Sequence, residues 1–331
     1  MKLPSTRSRP PATGSGTPRR RAGLRLAAAA AALLALPGLT ACGSEGTGTA
    51  GSGASPVPKT DPVAAVRKVG SIAALLPADV RRKGTLRVGS STGYPPSAFY
   101  PSGQGGGDPV GQDIDITDAV AKVLGIEIQR QDASFEAILP ALGSGKYDLG
   151  TGNFGVTAER LKTIDFVTYI DDGQGFAVKT GNTSLGKRVD DLTQLCGLTI
   201  GTGAGTTFEA TLTARKGVCA EAGRKPYDVK VFAETGAILT SLQQGRVDVV
   251  MSTINGLRYQ AAQPAARTTF LGEYHRLDVG FAFKKGSDLT PAFRAAVNQL
   301  IKDGTYDRIL RKWGTTASAI PESRINPPEQ S

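Results

Sequence analysis

Arg160, Thr206 and Thr207 are the residues whose types and spacing point most directly to chemistry, and that chemistry is the holding of an anion. Thr157-Ala158-Glu159-Arg160 reads as a helix start capped by Thr157. It puts a guanidinium in a first turn, where the macrodipole disfavours a cation. A planar fork in that place suits a carboxylate gripped by two parallel hydrogen bonds; the other reading is a surface ion pair with Glu159 or Asp165. Gly201-Thr202-Gly203-Ala204-Gly205 leads into Thr206-Thr207. Its glycines fall in the wrong order for a dinucleotide turn, and no Lys-Ser/Thr follows to make a phosphate loop. A Gly-rich turn opening a helix still presents N–H groups and hydroxyls to a carboxylate, or is an ordinary helix cap. Tyr94 is stiffened by Gly93 before it and Pro95-Pro96 after it, and Phe135 begins a helix. Each is an aromatic wall or simply core.

The rest of the inventory excludes more than it offers. The 331 residues include one histidine, His275, and three cysteines. No His-rich metal site, Ser-His-Asp triad or zinc ribbon can be built from that stock. His275, in Glu273-Tyr274-His275-Arg276, lies far from any acid–base constellation and is read as structural. The formal charge of +10 suggests nucleic acid, but seven of the 39 Lys and Arg lie in residues 1–41, which hold no acid. The remaining balance of about +3 is an ordinary surface, so a nucleic-acid partner is set aside.

Those first residues are an address. Arg19-Arg20-Arg21 and Arg25 precede an apolar run, Leu26 to Leu36, too short to span a bilayer permanently. Leu39-Thr40-Ala41-Cys42 resembles the lipobox of bacterial lipoproteins, in which Cys42 would be lipidated after removal of residues 1–41. The export route, general secretory or twin-arginine, stays open. Residues 42–62, mostly Gly, Ser, Thr, Ala and Pro, read as a flexible tether. An exported chain meets an oxidising space, so a disulfide between Cys196 and Cys219 is favoured over two reactive thiols, worth about 3 kcal/mol by chain entropy.

The elements that must position Arg160 and the threonines come in two similar sets. Ile138-Leu139-Pro140-Ala141-Leu142-Gly143-Ser144-Gly145-Lys146-Tyr147-Asp148-Leu149 is echoed by Ile238-Leu239-Thr240-Ser241-Leu242-Gln243-Gln244-Gly245-Arg246-Val247-Asp248-Val249. Each is a helix end, a stopping glycine and a short strand. Leu86 to Gly93 and Leu198 to Gly205 form a second echo, a strand ending in a Gly-rich loop. Helices are expected over Ile116–Leu124, Phe208–Arg215 and Pro291–Trp313. Strands alternating with helices imply two α/β lobes with mostly parallel sheets, whose ligands sit outside the carboxyl ends of the strands. Four loops then face a cleft: Ser90–Tyr94, Asn153–Thr157, Ala204–Thr207 and Ser252–Asn255.

The chain from Ser71 to Gly314 resembles the family 3 extracellular solute-binding proteins, which serve ABC importers for polar amino acids and related solutes. The resemblance rests on Gly84-Thr85-Leu86-Arg87-Val88-Gly89, Tyr94-Pro95-Pro96, Gly111-Gln112-Asp113-Ile114-Asp115 and Phe135-Glu136-Ala137-Ile138-Leu139-Pro140-Ala141-Leu142. Thr157-Ala158-Glu159-Arg160, Ile164-Asp165-Phe166 and Ala204-Gly205-Thr206-Thr207 complete it. It implies a two-lobed, periplasmic-binding-protein-like fold of type II, two open sheets flanked by helices and joined by hinge strands near Ile170–Gln174 and Leu277–Phe281. Lobe 1 would be 63–171 plus 279–318, lobe 2 would be 172–278, and 319–331 a polar tail. The Cys196/Cys219 pair is similar to a disulfide found in part of the family.

Carried over by position, Tyr94 and Phe135 would sandwich the ligand, and Arg160 would clamp its carboxylate with Gly205, Thr206 and Thr207. Asn153 and Gly155 would contact it through backbone, and Thr253 and Asn255 would face it from the second lobe. No metal or cofactor is implied. The partners would be a small carboxylate-bearing ligand, an ABC permease and its ATPase, with a monomer tied to the outer face of the cytoplasmic membrane by its lipid alone. Three positions depart from the pattern: Ser91 and Thr253 stand where acids are frequent, and Gly155 where threonine is. The ammonium half of the site therefore looks altered, and the expected ligand lacks a primary α-ammonium as its main cation, as ectoine, a betaine or an imino acid does. The alternatives are a dehydratase-like enzyme on the same fold, for which Glu136 is the one nearby acid, and a sensor partner.

Overall fold

A computed structural model describes residues 57–103 and 106–330; the proposed signal segment, Cys42 and most of the tether lie outside them. The strands are β1 (Thr85–Ser90), β2 (Glu127–Asp132), β3 (Leu149–Gly155), β4 (Ile164–Lys179), β5 (Thr199–Gly203), β6 (Asp228–Phe232), β7 (Val249–Thr253) and β8 (Thr268–Lys284). The helices are α1 (Gly70–Ala73), α2 (Ala78–Lys83), α3 (Gln112–Leu124), α4 (Phe135–Gly143), α5 (Thr207–Ala214), α6 (Val218–Glu221), α7 (Thr235–Gln243), α8 (Ile254–Ala261), α9 (Thr290–Lys302) and α10 (Thr305–Trp313).

The strands hydrogen-bond in the order β2-β1-β3-β8-β4-β7-β5-β6. In the first half, β1 pairs in parallel with β2 and β3; in the second, β5 pairs in parallel with β6 and β7. The echoes are thus equivalent strands, β1 with β5 and β3 with β7, with α4 leading into β3 as α7 leads into β7. Long antiparallel strands β4 and β8 run through both halves and join the two expected sheets into one ladder. The chain passes between halves at Gly173, which follows the Asp172–Leu277 pair and precedes Gln174–Thr253. Gly173 has φ +148°, and a Cβ there would lie 2.1 Å from the His275 carbonyl oxygen, so only glycine lets β4 and β8 cross this closely. On β8 the crossing falls just before Leu277, because Val279 and Gly280 already pair with β3.

Period-two burial covers both faces of the second half. Phe176, Val178 and Met251 enter one core with Phe208 and Leu212 of α5, while Ala177 and Val250 enter another with Ile238 and Leu242 of α7. In the first half, Val167, Tyr169 and Phe281 pack under α3, α9 and α10, and Phe154, Phe166 and Ala282 pack under α4. The expected helix over Pro291–Trp313 is two helices, because Gly304 adopts φ +74° and ends the first while opening the second. Helix α3 begins at Gln112, four residues before the expected start, with Gln112 and Asp113 both buried.

Cys196 and Cys219 are bonded, with Cα atoms 5.6 Å apart, tying α6 to the segment before β5. Val57, at the end of the stretch read as tether, packs against the first core. The C-terminal stretch lies back along β4: Val167 bridges Ile325, and Asn326 Oδ1 accepts from the Phe166 N–H at 2.7 Å. No helix among the described residues is long and apolar enough to cross a membrane.

Candidate functional site

Thr157 Oγ1 accepts from the Arg160 N–H at 3.2 Å, as a cap should, but the helix it opens is a three-residue 3-10 turn, Arg160–Lys162. What places the guanidinium is the cleft itself. Arg160 Nη1 donates to the Gly155 carbonyl at 2.9 Å, and Nη2 donates to the Gly205 carbonyl of the other half at 2.9 Å. Its carbon lies 5.7 Å from the Phe135 ring centroid and 5.9 Å from that of Phe154. Phe135 and Phe154 stack at 4.6 Å. Burial pushes the Arg160 pKa down to about 10. The ion-pair reading fails on partners: Asp165 pairs with Lys285 at 3.0 Å and Glu159 with Lys162. Among the described residues no carboxylate bonds to Arg160.

Beside it is a cavity of about 380 Å³ lined by Thr157, Arg160, Gln174, Gly205, Thr206 and Thr207, among others. Thr206 is a helix cap in full: its Oγ1 accepts from the Glu209 N–H at 3.2 Å and donates to the Gly203 carbonyl at 2.7 Å. The Gly205 N–H is spent on Glu209 Oε2 at 2.8 Å. Gly205 itself has φ +68°, and a Cβ there would meet Glu136 Cβ at 2.8 Å and Cα at 3.2 Å across the cleft. Gly155 also faces the far side, with Thr207 Cγ2 3.4 Å from where its Cβ would be. Phe135, Gly155, Arg160, Gly205, Thr206 and Thr207 therefore meet in one place.

The other four predicted residues do not join that group. Tyr94 and Thr253 face each other with Pro95 and Thr235 around a space of about 20 Å³, room for one water. Thr253 Oγ1 caps α8 by accepting from the Gly256 N–H at 3.0 Å. Burial raises the Tyr94 phenol pKa; Thr235 opposes the rise, and the carboxylates of Glu234 and Glu136 add to it.

Asn153 and Asn255 lie deeper, on two buried acids: Asp113, from the Gly111–Asp115 motif, and Asp172, which sequence reasoning missed. The Asn153 N–H donates to Asp113 Oδ2 at 3.0 Å and its Nδ2 to Asp172 Oδ2 at 2.9 Å; the Asn255 N–H donates to Asp172 Oδ1 at 3.1 Å. Asn153 adopts φ +60°, a left-handed kink at a break in the β3–β8 register. Desolvation pushes both Asp113 and Asp172 up to about 6, the hydrogen bonds opposing it. Phe154 was also missed, since an apolar residue at a strand end carries no signal of its own. His275 lies opposite Gln174 on β8, beside the Arg160 cavity.

Residues 86–316 match the bacterial extracellular solute-binding proteins, family 3. The chain belongs to this family. An arginine-binding protein of Corynebacterium glutamicum is 30% identical over 260 residues, 78% of this chain and 83% of that one. An L-cystine-binding protein of Escherichia coli is 31% identical over 241 residues, 71% of this chain and 84% of that one. Among solved structures, an ancestral arginine-binding protein bound to arginine is 35% identical with a TM-score of 0.61, covering 70% of this chain and 98% of its own. An ancestral amino-acid-binding protein described as a precursor of cyclohexadienyl dehydratase is 27% identical with a TM-score of 0.62, covering 71% and 97%. The family 3 chain thus has the two-lobed α/β fold of amino-acid-binding proteins, and Arg160 lies where its lobes meet.

Proposed function

We propose that this protein captures a small carboxylate-bearing solute, an amino acid or a close analogue, between its lobes and delivers it to an ABC permease and ATPase. The observation that carries the reading is Arg160: a partly buried cation beside the stacked Phe135 and Phe154 rings, bonded to one carbonyl from each lobe and, among the described residues, to no carboxylate. A ligand carboxylate supplies the missing charge and draws the lobes together through the same side chain. Relatives that bind arginine and L-cystine support an amino acid as the solute class. Lobe 1 is assigned 63–171 plus 279–318 and lobe 2 172–278. Cys42, after removal of residues 1–41, is assigned as the lipid anchor that holds the monomer at the outer face of the membrane.

The function is binding without turnover. A structural neighbour described as a dehydratase precursor makes the enzyme reading worth testing, with Glu136 as the acid in reach of the cleft. Purified protein incubated with amino acids in calorimetry and then chromatography settles it. Stoichiometric binding with the ligand recovered unchanged is expected; repeated conversion of ligand overturns the reading.

A further inference from the structure

A second cavity, about 210 Å³, opens between the lobes on the Tyr94 side and is lined by Ser91, Tyr94, Phe135, Asp132 and Glu234, among others. Its two carboxylates come from equivalent strand-to-helix turns, β2–α4 in the first lobe and β6–α7 in the second. Asp132 accepts from the Tyr100 hydroxyl, and no cation pairs with either acid among the described residues. Ser91, only 3% exposed, also lines this cavity, and among the described residues its hydroxyl makes no hydrogen bond. Phe135 connects the two ends of the cleft: Arg160 lies 5.7 Å from its ring centroid, and the same ring walls the acidic cavity.

Resting on the carboxylate reading of Arg160, we infer that Asp132 and Glu234 select a ligand carrying a delocalised cation at the end remote from its carboxylate. Such a ligand places its carboxylate at Arg160, lies across the Phe135 face and puts a guanidinium or amidinium between the two acids, with Ser91 accepting one of its N–H groups. The aromatic faces of Tyr94 and Phe135 add attraction for a flat cation. Because one acid comes from each lobe, the cation is bridged only when the lobes close, so the pair contributes to closure as well as choice. The charge that the family pattern leads one to expect at position 91 is thus supplied from positions 132 and 234.

The test compares L-arginine with L-citrulline, which keeps shape and carboxylate but replaces the cation with a neutral urea. Titration calorimetry on the disulfide-bonded protein should show arginine bound about tenfold tighter and no more, because both acids are exposed in the unliganded fold and gain less than buried ones. Glu234→Gln and Asp132→Asn should each narrow that ratio, and the double variant should bring it near unity while citrulline affinity holds. Equal binding of arginine and citrulline overturns the inference, as does a preference that survives the double variant. Binding of neutral or acidic amino acids with neither probe bound also overturns it, leaving the carboxylate reading standing. Binding of no carboxylate at all overturns both.

Discussion

Arg160 Nη2 donates to the carbonyl oxygen of Gly205 at 2.9 Å, across the boundary between the two lobes. One side chain therefore senses both halves of the cleft: it also donates to the Gly155 carbonyl of the first lobe and lines the cavity beside it, and its position depends on how near Gly205 has come.

Arg160→Ala removes the anion partner and this tie together. The expected loss of ligand affinity is about 2–5 kcal/mol, with the melting temperature nearly unchanged because Arg160 belongs to a short surface turn rather than a core. Arg160→Lys recovers only part, since an ammonium cannot span the Gly155 and Gly205 carbonyls and a carboxylate at once. Calorimetry alongside a thermal melt checks both, and near-native affinity in the alanine variant refutes the clamp.

Gly205→Ala tests closure rather than contact. Its Cβ would press on Glu136 Cα and Cβ, atoms that no rotamer change moves away, and alanine at φ +68° costs about 1–2 kcal/mol. Binding should weaken about tenfold or more. Small-angle scattering with saturating ligand should show the variant more extended than the parent; an unchanged affinity and profile contradict the close approach.

Ser91 and Thr253 bear on the α-ammonium. Thr253 is committed to capping α8, and the buried acid Asp172 is already shared by Asn153 and Asn255. Removing the α-ammonium from a ligand should then cost little. L-arginine and 5-guanidinopentanoate are expected within about tenfold of each other, well below the several kcal/mol of a lost buried ion pair. Thr253→Asp should shift the ratio toward arginine. A much larger gap in the parent protein would reveal an intact ammonium site elsewhere.

The acids beneath the cleft set a pH dependence of stability. Asp113 and Asp172 lie at about 6 in the folded protein against an ordinary 3.8, so the native state holds their protons more tightly than the unfolded chain does. Stability is gained as pH falls through about 6 and lost as it rises. Glu273, lowered chiefly by its bond to Arg276, runs the other way, but its contribution vanishes only below the ordinary carboxylate range. The melting temperature should therefore be higher at pH 5 than at pH 7, and Asp113→Asn should flatten that slope. A melt that falls steadily between pH 7 and 5 contradicts the assignment.

The echoed segments, the helix-stopping glycines and the alternation of strand with helix were all legible in the chain, because local patterning fixes which residues form each element. Thr157 as a cap, Thr206 at a helix start and Phe135 opening its helix were legible for the same reason, whereas the Cys196–Cys219 pair followed from the cysteine inventory of an exported chain. The break at Gly304 was missed because amphipathic spacing continues through it, and only backbone conformation separates α9 from α10.

The sequence by itself determined two α/β halves, a cleft-facing set of loops and an arginine in search of an anion. The tertiary structure alone decided which groups share space. It brought Arg160 to Gly205, 45 residues away, placed Asp132 and Glu234 on one cavity, and sank Asn153 and Asn255 onto Asp172. The physical reason is that periodicity reports which face of an element is buried, whereas charge and hydrogen-bond partners depend on where β4 and β8 cross, a packing outcome that no local window contains.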